Sequence, residues 1–147
     1  MHSSIAIVLL LVLSALGGLH FYWAGGGLWP GRDRNSLLRI VLGIEGAKGR
    51  IPPGPTTMVG VALCVAGILP IFHQELIVLP LLEGALGARL LPIAVALAAL
   101  TFAVRGLAGY VPVWRRIMSG EPFATLDVRY YSPLCLAISV GFGMLLL

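Results

Sequence analysis

An all-α integral membrane protein is the fold class this sequence predicts, and three observations carry that expectation. Hydrophobic residues make up 59% of the 147 positions and charged residues 11%, with a mean hydropathy of +0.98. A water-soluble domain of this length needs more charge than that to cover its surface. Apolar residues also come in stretches close to the roughly 20 residues that a membrane-crossing helix needs. Finally, Gly and Pro gather between those stretches and punctuate them. The expectation is one domain over 1–147: a four-helix transmembrane bundle with a short interfacial helix in the first loop.

The first span is predicted at about 5–23. A cleaved signal peptide would want Lys or Arg ahead of the apolar run, and Met1-His-Ser-Ser4 offers none, so the stretch reads as a membrane helix. Its end, Gly17-Gly-Leu-His-Phe-Tyr-Trp23, combines small residues for close helix approach with aromatics suited to the membrane boundary. A polar connection from Ala24 to Pro55 follows, broken by Gly25-Gly-Gly27, Pro30-Gly31 and Pro52-Pro-Gly-Pro55. Within it, Leu37, Ile40, Val41 and Ile44 recur at helical spacing over about 36–45. That run is too short to span, so it predicts a small helix lying on the membrane.

The second span is predicted at about 56–72, kinked or ended by Pro70, with His73-Gln-Glu75 at a surface. Leu76 to Gly87 is apolar but interrupted by Pro80, Glu83 and Gly84, which suggests an interfacial segment. The third span is predicted at about 90–107, with Arg105 near its end. Gly109-Tyr-Val-Pro112 breaks it, and Trp114-Arg-Arg116 reads as a membrane-surface anchor. Ser132-Pro133 reads as the start of a fourth span at about 132–147, Ser as N-cap and Pro at the first helical position. From Pro133 to Leu147 that helix is roughly 22 Å long, short of a hydrocarbon core of about 30 Å. Either it gains a turn through Tyr130 and Tyr131, or the polar segment before it dips below the headgroups. In the second case Asp127 lies where charge is expensive, and it needs a basic partner. Arg105 and Arg129 are the candidates, and Arg105 is preferred because pairing explains an Arg inside a span.

The net charge of +4 comes from residues near span ends, so it speaks to topology. Arg32, Arg34, Arg39, Lys48 and Arg50 fall in the first loop, and Arg115, Arg116 and Arg129 follow the third span. The loop between the second and third spans holds one basic residue, Arg89. The positive-inside rule then puts the first and third loops in the cytoplasm and both termini on the non-cytoplasmic side. Nine of the ten basic residues are Arg, a usage that fits a GC-rich bacterial gene, and the expected location is the bacterial cytoplasmic (inner) membrane. No basic run with interleaved aromatics suits nucleic acid. Cys64 and Cys135 are too few for a disulfide scaffold or zinc site, and their differing depths argue against a bond between them.

His20-Phe-Tyr-Trp23, Ile51-Pro-Pro-Gly-Pro55, Arg105 and Phe123-Ala-Thr-Leu-Asp-Val-Arg-Tyr-Tyr-Ser-Pro-Leu-Cys135 together resemble one family over nearly the whole chain. It is a group of small bacterial four-helix membrane proteins catalogued as a domain of unknown function. The resemblance implies fold and membrane location and implies no activity.

By the expected topology, His20, Trp23, Arg105, Asp127, Arg129 and Tyr131 fall at one end of the spans, and they are the site candidates. The sharper reading is a pocket for an anionic headgroup or small substrate, with Arg105 and Arg129 as anion binders and Asp127 fixing one of them. The plainer reading, which the sequence favours, is structural ion pairing that ties the last loop to the third span. His20 alone, without a second ligand at metal-binding spacing, is weak ground for a metal or tetrapyrrole, so no metal is expected and no cofactor is assigned. There is no phosphate loop, nucleophile elbow or HExxH motif. The function expected is a non-catalytic accessory or structural subunit of a larger membrane complex, whose partners are the bilayer, other subunits or a second copy. The alternative is a stand-alone enzyme or carrier for a lipid or small amphiphile.

Overall fold

A computed structural model describes residues 2–43, 49, 51–78 and 84–147, and no strand occurs among them. Helix α1 spans His2–Ala24, α2 Arg34–Val41, α3 Pro53–His73, α4 Ala85–Ala108 and α5 Pro112–Ile117. Helix α6 (Phe123–Leu126) runs directly into a π-helical turn, Asp127–Tyr131, and then into α7 (Ser132–Met144). Three helices are long and apolar enough to cross a membrane: α1, α3 and the Gly87–Ala108 part of α4.

Helix α1 packs along α3, and α4 along α7. The first pairing depends on small residues. A methyl group added at Gly17 would lie 2.6 Å from Cys64 Sγ and 2.9 Å from the Gly60 carbonyl, so neither helix can carry more bulk at this crossing. The two pairs meet through Leu9 and Leu13 of α1, Val95 of α4, and Ile138 and Phe142 of α7 with Leu145 just beyond it. Phe142 also stacks on Phe102, with ring centroids 6.0 Å apart. Beyond this core, at the opposite end, the first loop folds back over the helices.

Helix α2 begins with a reciprocal cap. Ser36 donates its N–H to the Asp33 carboxylate at 2.8 Å, and its hydroxyl accepts the Asp33 N–H at 2.9 Å. The cap releases the chain from the Gly-Pro-rich loop into eight residues of helix. Leu37 and Leu38 are buried with Ile51, against Trp23 and Leu28. Tyr131 donates its hydroxyl to the Ile40 carbonyl at 3.3 Å, and Gly120 donates its N–H to the Gly43 carbonyl at 2.9 Å. Gly43 has φ +63 and sits against the Phe123 ring, so a side chain there would be both strained and obstructed.

Several expectations need correction. Helix α2 covers 34–41 rather than 36–45, and its apolar face includes Leu38. Its Leu37 and Leu38 pack on the protein, where they find apolar partners. Ile44 and Glu45 fall outside the described residues, as do 79–83 of the expected interfacial segment. Helix α4 takes in Ala85 to Gly87, the end of that segment. Helix α3 starts at Pro53, where a missing N–H costs nothing, and runs through Pro70 to His73. His73 is half-buried, not an exposed surface marker, and its Nε2 donates to the Leu145 carbonyl at 3.1 Å.

The largest correction concerns Ser132, which caps nothing. Its backbone is helical at φ −67 and ψ −46, inside one helical stretch that runs from Phe123 to Met144. Pro133 would ordinarily break such a helix because its ring clashes with the carbonyl four residues back. The π turn immediately before it widens the helix, and Ser132 donates its N–H to the Asp127 carbonyl five residues earlier. The expected extension through Tyr130 and Tyr131 is therefore present and goes further, and Asp127 is also buried.

Candidate functional site

Asp127 is 2% exposed, and it is held from three sides. Arg105 donates to Oδ1 at 2.7 Å, Ser132 donates its hydroxyl to the same oxygen at 3.1 Å, and the Trp114 indole donates to Oδ2 at 2.9 Å. Arg105 lies over the Trp114 ring, 5.0 Å from its centroid, and approaches the Ser132 hydroxyl at 3.5 Å. The expectation that Asp127 has a basic partner, and that it is Arg105, is borne out. These three donors supply the partners that a buried carboxyl group needs.

The arrangement follows from local geometry. Arg105 sits in the last turn of α4, where the helix C-terminus favours a cation. The chain reverses at Gly109, and α5 carries Trp114 back over Arg105. A Cβ at Gly109 would lie 3.1 Å from Asp127 Oδ2 and collide with the Ser132 side chain. The π turn places Ser132 where an α-helix, with its four-residue spacing, would have placed Tyr131. Trp114 thus spends its indole N–H on Asp127, and among the described residues it is the one side-chain donor to the second carboxylate oxygen.

Beside this cluster lies a cavity of about 560 Å³. Its apolar lining includes Leu16, Leu19, Leu63, Phe102, Leu134 and Ile138 from the long helices, with Trp29, Pro30, Ile40, Val41 and Phe123 from the loops and short helices. His20, Trp23, Arg105, Tyr131 and Cys135 also line it. Four of the six residues expected to form a site therefore meet around one space. Asp127 stands behind Arg105 and is not part of the lining. Arg129 is elsewhere: it is exposed and lines a shallow surface groove with Arg115 and Glu121. Asp127–Tyr131 is helical, so neighbours two apart in sequence point to different sides.

Most polar groups at the cavity are already engaged. Trp23 donates its indole N–H to the Trp29 carbonyl at 2.7 Å, and the Tyr131 hydroxyl serves Ile40. His20 Nδ1 lies 2.8 Å from the Leu16 carbonyl, which can only accept, so that nitrogen carries the proton. In the neutral ring Nε2 is then an acceptor, and no bond to it occurs among the described residues. The His20 and Trp23 rings pack at 5.1 Å. Arg105 has five N–H donors, of which Asp127 and Ser132 take two, and a third of its side chain is exposed. Because Asp127 balances its charge, the cavity offers hydrogen-bond capacity without net charge.

Both cysteines are free thiols, and no group of three His, Cys, Asp or Glu suited to a metal occurs among the described residues. Sequence reasoning missed Trp114, Ser132 and Gly109 in the ion-pair cluster, and Trp29, Phe102 and Phe123 in the cavity wall.

The family described as "Protein of unknown function (DUF3995)" matches residues 13–142, a range that contains every residue of the cavity and the ion-pair cluster. The chain belongs to that family. No curated protein and no solved structure matches it.

Proposed function

We propose that this member of the family binds a neutral amphiphile, an apolar molecule with a hydroxyl or carbonyl head, in the cavity between its two helix pairs. The single observation that carries the reading is the composition of that cavity. Its size is in the range of small-molecule sites, its walls are aliphatic and aromatic, and Arg105 and His20 bring it their unspent hydrogen-bonding capacity. A hydroxyl or carbonyl head can accept from Arg105, and a hydroxyl can donate to His20 Nε2. An anionic head would meet Arg105 already neutralised by Asp127, and would find no second cation, since Arg129 faces elsewhere. The proposal is binding and includes no bond-making step.

The membrane setting belongs to the same reading. The helical stretch from Phe123 to Met144, with α7 packed along α4, serves as the fourth span of a four-helix bundle. The basic residues of the first loop and of the 115–129 segment support a reading in which those regions face the cytoplasm of a bacterial cell, with both termini across the inner membrane. The cavity then opens near the cytoplasmic leaflet, where a membrane-dissolved ligand can enter sideways.

The test uses the full chain purified in mild detergent. Trp23 and Trp29 report occupancy through their fluorescence. Farnesol, a neutral amphiphile, should change that emission saturably, and oleate at pH 8 should do so much less. Leu19→Trp, which puts bulk into the cavity wall, should abolish the farnesol response. A farnesol response unchanged in that variant would end the proposal.

A second reading is an accessory or structural subunit of a larger membrane complex. It is favoured by the apolar exteriors of α1, α3 and α4, such as Leu11, Met58 and Leu97, which a partner's helices could cover as well as lipid tails. Native purification with identification of stoichiometric co-purifying membrane proteins tests it.

A further inference from the structure

We propose that Arg115, Arg116 and Arg129 form a binding groove for the phosphate of an anionic membrane lipid, separate from the cavity. Arg115 and Arg129 line one surface groove of about 230 Å³ with Glu121 and Thr125. Arg115 and Arg116 line a second of about 400 Å³, and the two share Arg115 and Ala124. Three guanidiniums therefore face one continuous surface. Among the described residues the single ion pair is Arg105–Asp127, and none of these three arginines takes part in it. Glu121 is the one acid in the groove. Its two oxygens accept the Thr125 N–H at 3.3 Å and the Thr125 hydroxyl at 3.0 Å, which holds the carboxylate against α6.

The neighbouring residues identify the source of the phosphate. Val113 and Ile117 lie four apart on α5, hence on one face of it, and are 63% and 61% exposed. Tyr110 and Tyr130 are exposed beside them. An apolar and aromatic flank next to arginines, directly after a membrane-spanning helix, suits the boundary where acyl chains give way to headgroups. A free phosphate has no use for that flank, whereas a phospholipid uses both parts. Guanidinium forks match phosphate oxygens in pairs, so two or three arginines can hold one headgroup.

The experiment measures lipids retained by the full chain in native mass spectrometry from detergent. The probes are phosphatidylglycerol and phosphatidylcholine of identical acyl chains, with inorganic phosphate as competitor. Phosphatidylglycerol should bind at least tenfold more tightly than phosphatidylcholine. Arg115→Gln and Arg129→Gln should each lower its affinity about fivefold, the usual worth of one basic residue at an anionic surface. Glu121→Gln keeps acceptors for Thr125 and removes the repelling charge, so it should raise the affinity. Equal binding of the two lipids, or glutamine variants that bind like the parent, overturns the groove. Displacement of the lipid by equimolar phosphate overturns the lipid as its source. Should a glutamine variant fail to fold, Arg115→Lys with Arg129→Lys decides: the charge-keeping pair must retain preference for phosphatidylglycerol.

Discussion

The two ends of the helix assembly use the same few apolar residue types and reach opposite results. At one end Leu13, Val95 and Phe142 are fully buried, and α1, α4 and α7 close on one another. Toward the other end Leu16 and Leu63, at the edge of that core, and Leu19 and Leu134 line a space of about 560 Å³. The difference lies in what stands between the helices. At the closed end it is side chains alone. At the open end the chain must fit Trp23, Trp29 and Phe123, which are large and rigid, plus an arginine committed to Asp127. Rigid rings, with Trp23 tied through its indole N–H to the Trp29 carbonyl, cannot collapse into the gap, so the gap persists. A cavity here is a consequence of polar anchoring, and removing an anchor should affect it more than trimming its wall.

The ion-pair anchor gives the largest expected effect. Asp127→Ala leaves the Arg105 guanidinium and the Trp114 N–H without their acceptor, and breaking a buried pair from one side costs roughly 3–5 kcal/mol. Detergent-solubilised protein should lose that much in denaturant unfolding. Combining Asp127→Ala with Arg105→Leu should recover part of it, because the orphaned charge is gone. Arg129→Ala, two residues away but outside the cluster, should leave stability near the parent value. A double variant no better than the single would show that the pair does not hold this end together.

Truncating one leucine at each end sharpens the contrast. Leu13→Ala empties a site with no exposure and should cost about 2–5 kcal/mol. Leu19→Ala only enlarges a space already present, and should cost under about 1 kcal/mol, since few neighbouring atoms lose a partner. Equal losses in matched unfolding curves would mean that the cavity end is packed as tightly as the other.

The close approach at Gly109 is the next test in size. Any Cβ there meets Ser132 and the Asp127 carboxylate, and overpacking of this kind costs typically about 1–3 kcal/mol. Gly109→Ala should therefore destabilise the chain less than Asp127→Ala. It should also weaken the Trp114–Asp127 bond, visible as a shift in Trp114 emission with Trp23 and Trp29 replaced by Phe. An unchanged melting temperature would show that α5 can move away at no cost.

Helix existence and the Arg105–Asp127 pair were legible in the sequence because both follow from the bilayer. Length and apolarity define helices that can cross, and a charge inside one demands a partner. The register near Asp127 was not legible. Ser132-Pro133 satisfies the rules for a helix start, and only the π turn, whose spacing leaves no periodic mark in five residues, makes it continuous with Asp127. Trp114 next to Arg115-Arg116 has the composition of an interfacial anchor, and nothing local says that its ring turns inward. Four of the expected site residues meet at one cavity, yet the cavity itself could not be read. It depends on α2 folding over the helix ends, which takes contacts between residues as distant in sequence as Ile40 and Tyr131. Arg129 lies away from the cavity for a related reason: two residues of separation suits an extended link to Asp127 and not a helical one.

The smallest expected effect lies at the lid of the open end and depends on pH. The backbone N–H of Ser36, with help from its hydroxyl, holds the exposed Asp33 carboxyl below the usual carboxylate range. A depressed folded-state pKa means the cap stabilises α2 fully above the ordinary aspartate value of about 4. That contribution fades as pH falls through the lowered folded value, when the carboxylate protonates and becomes a poorer acceptor. Helix α2 should then fray from its N-terminus first, at Ser36, while Leu37 and Leu38 still hold it against Trp23 and Ile51. Amide exchange read by mass spectrometry on a peptide spanning residues 32–38, referenced to a peptide from α1, should show protection falling as pH drops below about 4, the ordinary aspartate value. In Asp33→Asn the amide caps comparably well and does not titrate, so the same peptide should keep a pH-independent ratio to the reference. If the parent and the Asn variant lose protection in parallel, the acid sensitivity belongs to another carboxylate. The Asp33–Ser36 cap would then have no part in keeping the lid closed.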